Sequence, residues 1–99
     1  MATYVSLVSW TDQGIRNFKD TMARATAAKD LATRMGGEMK ELYWTLGPYD
    51  SVIVAEFPDD ETGTAYLLAI GALGSVRTTT MRAFGQDQIQ AIVAKAAAE

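Results

Sequence analysis

The sequence predicts an α+β domain, and three observations carry that reading. Runs rich in β-branched and aromatic residues recur four times, at residues 3–9, 39–46, 51–57 and 76–84. Amphipathic stretches separate the first run from the second and the third from the fourth, and another closes the chain. Glycine or proline punctuates most of the junctions. The order is β-α-β-β-α-β with an extra C-terminal helix, the arrangement of a ferredoxin-like fold, and residues 1–99 are expected to form one domain.

The first run, TYVSLVS, has two apolar sides, Val5/Leu7 and Tyr4/Val8, so neither looks freely solvated. Thr11 has the chemistry of a helix N-cap, and Trp10 and Ile15 stand where a hydrophobic staple would brace it. Ile15, Phe18, Met22, Ala25, Ala32 and Met35 recur at steps of three, four or seven, which predicts one long helix over 12–35. Gly36 and Gly37 supply its left-handed end. Lys29 lies within that stripe and is expected to snorkel to the helix edge. The second and third strands follow, separated by the turn-like Gly47-Pro48-Tyr49-Asp50, and this short spacing makes them antiparallel. Pro58 stops the third strand. Asp59 or Asp60 then caps a helix reaching about Leu73, with Ala65, Leu68, Ala69 and Ala72 as its apolar positions. Gly74 ends it, a β-branched fourth strand follows, and a last helix over 86–98 presents Ile89, Ile92, Val93 and Ala96 on one side.

Composition excludes several function classes. Cysteine and histidine are both absent, which removes disulfides, thiolate chemistry and the commonest metal ligand and general base. The net charge of −3 comes with scattered basic residues and no basic stripe, so nucleic acid is not an expected partner. No apolar run is long enough to span a bilayer, and the first residues lack a signal-peptide layout. A cytoplasmic protein without metal or cofactor is the expectation.

Right-handed crossovers place both connecting helices on one face of the sheet. The other face, expected to carry Val8, Val52 and Val54, is too apolar to remain in water, and pairing with another copy is the simplest cover. A homodimer or higher homo-oligomer follows.

Four separated segments resemble the pattern of the GYD domain family. They are Tyr4 to Trp10 followed by Thr11-Asp12-Gln13-Gly14; Leu46-Gly47-Pro48-Tyr49-Asp50; Glu56-Phe57-Pro58-Asp59-Asp60; and Gly74-Ser75-Val76-Arg77-Thr78-Thr79-Thr80 leading to Ala83-Phe84. Pro48 fills the variable position of the turn, and Ser51 stands where an apolar residue is usual. The resemblance implies a ferredoxin-like fold related in architecture to dimeric α/β-barrel proteins, and no agreed activity.

Tyr49 and Asp50 are the first candidate site. A tyrosine and a carboxylate at the mouth of the open face can orient a small ligand or exchange a proton. The same residues also suit a purely structural turn, with Asp50 accepting backbone amides. Strand periodicity puts Glu56 on one side with Asp50, Val52 and Val54, and Thr80 and Arg82 are its candidate partners. Trp44 completes the ligand-binding candidates. The Thr78-Thr79-Thr80 run is good strand material, and Asp59-Asp60-Glu61 is a helix-capping feature. Scarce titratable groups and plentiful apolar surface favour an oligomer holding a small apolar molecule in a cleft of the open sheet face; the alternatives are a cofactor-free enzyme in the same cleft and an interaction module with no ligand.

Overall fold

A computed structural model describes residues 1–98. Strands β1 (Ala2–Trp10), β2 (Glu38–Trp44), β3 (Ser51–Phe57) and β4 (Val76–Ala83) form one antiparallel sheet in the order β2-β3-β1-β4. Helices α1 (Asp12–Arg16) and α2 (Thr21–Arg34) lie between β1 and β2, α3 (Asp60–Ala72) joins β3 to β4, and α4 (Gln86–Ala97) follows β4. This is the ferredoxin-like α+β arrangement expected from the order of elements, with one sheet face left open.

The two central strands set the layers. Ala2, Tyr4, Ser6 and Val8 of β1 are buried beside Ser51, Ile53, Ala55 and Phe57 of β3, and the alternate residues are only half-buried. Strand side chains alternate between faces, so the buried set lies under α2 and α3 and the rest on the open face. Phe57, 2% exposed, anchors the core. Its ring lies 4.9 Å from that of Tyr66 on α3 and 6.1 Å from that of Tyr4. The Tyr66 hydroxyl donates to the carbonyl of Ala28 at 3.0 Å, which ties α3 to α2.

The open face departs from expectation at one residue of β1. Val8 is 3% exposed beneath the helices, and Leu7 takes its place opposite Val52. Val52 and Val54 lie on the open face as expected.

The long helix expected over 12–35 is two helices joined by a 3₁₀ turn at Phe18–Asp20. Asn17 leaves helical geometry at φ −105 and ψ 35. Arg24 then donates to the carbonyls of Asn17 and Gly14, at 2.8 and 3.3 Å. The break takes Ile15 and Phe18 off the stripe, and Met22, within α2, lies on its outer side. Ile15, Phe18 and Met22 are 50, 55 and 62% exposed, and α2 faces the sheet with Ala25, Ala28, Leu31, Ala32 and Met35. Lys29 is exposed. Helix α3 is also rotated from its expected stripe. Gly63, Tyr66 and Ile70 are buried, while Ala65, Leu68, Ala69 and Ala72 are exposed.

Helix α1 docks where Gly14 meets the chain before β4. A Cβ at Gly14 would stand 2.1 Å from the carbonyl oxygen of Ser75, so no larger residue fits without moving backbone. Thr11 caps α1 by accepting from Gly14 N–H at 3.1 Å and donates to the Gly74 carbonyl at 2.5 Å. Two of the four sequence motifs therefore interlock.

Phe57→Ala should lower the unfolding free energy by about 3–5 kcal/mol, the range for a buried aromatic, whereas Phe18→Ala should cost less than about 1 kcal/mol. Urea titration of both variants separates them. Burial pushes the Tyr66 hydroxyl from its ordinary 10.0 up to about 12. The folded chain thus holds that proton where the unfolded chain loses it, so this contribution is complete below pH 10 and is lost as pH rises through about 12. Tyr66→Phe should flatten the loss of stability across that window in alkaline denaturation.

Candidate functional site

Asp50 closes the β2–β3 hairpin and fastens it to β1. Its amide donates to the Val8 carbonyl at 2.8 Å, and its Oδ2 accepts from the Trp10 amide at 2.8 Å. Its own carbonyl accepts from Thr45 N–H at 3.0 Å, and the Thr45 hydroxyl donates to the Tyr49 carbonyl at 2.6 Å. Gly47 turns the loop at φ +143, a backbone region favoured by glycine. Asp50 thereby extends the ladder between the central strands beyond its last strand pair. Tyr49 is half-buried beside it.

Glu56 lies on the open face, 3.9 Å from the Lys40 Nζ, which is also 3.4 Å from Glu38. The first pair joins β3 to β2 and the second lies within β2; both are partly solvated and of the kind that contributes about 0–1 kcal/mol. Neither Thr80 nor Arg82 reaches Glu56. In the β1–β4 register Ser6 stands opposite Thr80 and Tyr4 opposite Arg82, and directly paired residues share a face. Ser6 and Tyr4 are on the helix side, whereas Glu56 pairs with Thr3 on the other. The Ser6 and Thr80 hydroxyls share a hydrogen bond of 2.8 Å.

Arg82 belongs to a different group. Its Nε is 3.4 Å from Asp60, and its guanidinium lies 4.8 Å from the Phe84 ring centroid and 5.8 Å from that of Tyr4. The Tyr4 hydroxyl donates to the same Asp60 carboxylate. Burial, then the hydrogen bond to Asp60 and its charge, raise the Tyr4 pKa above its ordinary value, with Arg82 opposing them. The sequence candidates thus divide into a structural corner at Tyr49 and Asp50, an ion pair at Glu56, and Thr80 and Arg82 on the opposite face.

Trp44 is the candidate that borders open space. It pairs with Ser51 across β2 and β3, and Ser51 pairs with Val8 across β3 and β1, so the three form one row on the helix side. Above that row, between α2, the end of α3 and the sheet, lies a cavity of about 460 Å³. Its walls include Trp10, Ala28, Leu31, Leu42 and Ile53. Periodicity does not reveal it, because the space depends on the small residues α2 turns toward the sheet after its break. The serine at position 51, polar where the family pattern is apolar, is the one local signal. Among the described residues no group of three or more His, Cys, Asp and Glu side chains is placed to hold a metal, and no helix is long and apolar enough to cross a membrane.

The GYD domain model matches residues 4–93. The chain belongs to the GYD domain family. It is 32% identical over 84 residues to the glutamine synthetase and cystathionine beta-lyase binding protein of Thermus thermophilus, covering 84% of this chain and 88% of that protein. The crystal structure of TTHA0845, also from Thermus thermophilus, matches with a TM-score of 0.56 at 25% identity, over 86% of this chain and 95% of that one. A hypothetical protein from Pyrococcus horikoshii, PHS023, matches with a TM-score of 0.57 over 87% of this GYD chain and 93% of its own, and at 20% identity it speaks for the fold alone.

Asp50→Ala should leave the Trp10 amide unpaired and cost about 1–3 kcal/mol, while Glu56→Gln should cost less than about 1 kcal/mol. Thermal or urea unfolding of the two variants checks the ranking, and an equal loss from both would overturn the structural role given to Asp50.

Proposed function

We propose that this GYD protein is a self-associating interaction module, joined to a second copy through its open sheet face. The observation that carries the proposal is the apolar centre of that face, where Val5, Leu7, Val52 and Val54 are flanked by the exposed Tyr43 and Met81. An apolar field of this kind is a mark of an interaction surface. Helix α4 presents a second unpartnered surface. It buries no residue, and Ile89, Ile92 and Val93 are 44, 42 and 59% exposed. A helix of 12 residues is marginal in water on its own, so a surface that covers its apolar side would stabilise it.

The Thermus relative is named for binding two enzymes. That supports protein recognition as the role of the assembled module here, with enzymes of that kind as the partners to test. The ligand and enzyme readings of an open-face cleft have less behind them. The cavity under α2 and a much smaller space beside Tyr4 and Thr80 are both lined from the helix side, and Asp50 and Glu56 border neither.

Sedimentation velocity should find a dimer or larger species at micromolar concentration. Val54→Glu should shift it to monomer with an unchanged far-ultraviolet spectrum, whereas Lys29→Glu, on the exposed side of α2, should not. A wild-type monomer would overturn the proposal. Purified glutamine synthetase and cystathionine β-lyase, titrated against the wild-type oligomer by interferometry, test the wider partner reading: binding supports it and its absence for both removes it.

A further inference from the structure

We propose that the cavity between α2 and the sheet binds a small organic acid with an apolar body, at a site separate from the self-association face. Protein interiors are close-packed and rarely hold voids much larger than a water molecule, whereas ligand clefts commonly enclose about 300–1,000 Å³. The space of about 460 Å³ falls in the second class. Its walls are predominantly apolar, with Trp10 and Trp44 at the sheet end and Ala25, Ala28 and Leu31 along the helix. An apolar cleft of this kind selects an apolar body.

Two polar features specify the other end of the ligand. The first is Ser51, which is 5% exposed and lines the cavity. No fully enclosed side-chain donor or acceptor lacks a partner among the described residues. The Ser51 hydroxyl has no partner among them, so its oxygen touches open space, and the space beside it is the cavity. It stands in the row of Trp44 and Val8, with Trp10 two residues further along β1 on the same face, and both tryptophans line the cavity with it. A hydroxyl that reaches the cavity can bond a ligand oxygen in place of water.

The second feature is Arg24. It lines the cavity half-buried, held by the Asn17 and Gly14 carbonyls, and none of the ion pairs among the described residues engages it. Its charge is fixed in place by neutral oxygens and is met by no carboxylate. Arg34 adds a second positive charge to the lining. Together these choose a carboxylate over an amine, with Arg24 supplying a charge-assisted contact.

Both tryptophans of the chain line the cavity, so intrinsic fluorescence reports its occupancy directly. Decanoate below its micellar concentration should change the emission saturably, and decylamine should not. Arg24→Gln should weaken decanoate by about tenfold, the loss of one charge-assisted contact, and leave decanol unchanged; Arg24→Lys should recover part of the difference. Ala28→Phe should fill the space and abolish binding with the fold intact by circular dichroism. Ala25→Leu is the second filling variant if Ala28→Phe does not fold. Val54→Glu should bind decanoate like the wild type even as a monomer, which separates this site from the association face. Equal binding of decylamine and decanoate, or unchanged binding in a folded cavity-filled variant, would overturn the proposal.

Discussion

The register between β1 and β3 is the constraint from which the rest of the molecule follows. Val8 faces Ser51, Ser6 faces Ile53 and Tyr4 faces Ala55, which commits the even positions of β1 and the odd positions of β3 to the helix side. A shift by one residue would exchange the two faces. Asp50 guards against that shift at the hairpin end, because its amide and carboxylate hold Val8 and Trp10 at once. Its spacing between those two contacts suits only the observed alignment. The conspicuous turn of the sequence is therefore best understood as a lock on strand alignment.

A second consequence comes from the break before α2. Phe18 falls in the 3₁₀ turn and is exposed, Met22 lies on the outer side of α2, and the helix approaches the sheet through Ala25, Ala28, Leu31 and Ala32. Arg24 donates to the carbonyls of Asn17 and Gly14 across the break and is also among the residues that line the cavity. The break and the small residues that follow it therefore border the same space.

Some of this is legible in the sequence and some is not, for definite reasons. The four strands and the hairpin can be read because β-branched runs and the turn residues are distinctive; the face of β3 follows only from Glu56, since Val52, Ile53, Val54 and Ala55 are apolar on both sides. The face of β4 cannot, since Thr78, Thr79 and Thr80 are equally at home on either side. Arg82 consequently looks like a partner for Glu56, whereas the residue it meets is Asp60. Helix α3 gives no reliable stripe, because residues from Ala65 to Ile70 are apolar all around the helix. The helix break is hidden because Ile15, Phe18 and Met22 keep helical spacing across it. Of the candidate residues, only Trp44 lies beside the cavity, and its neighbour Ser51 stands out in the sequence merely as a departure from the family pattern.

The two surfaces of the sheet are built from the same strands and separate in space. Along β1, Val8 lies on the cavity side and Leu7 on the open side; along β3, Ser51 lies on the cavity side and Val52 on the open side. A ligand beneath the helices therefore meets none of Leu7, Val52 and Val54, and a partner on the open face meets neither Ser51 nor Trp44. Side chains on opposite faces of one strand point away from each other, so the two proposed roles draw on different residues of the same central strands.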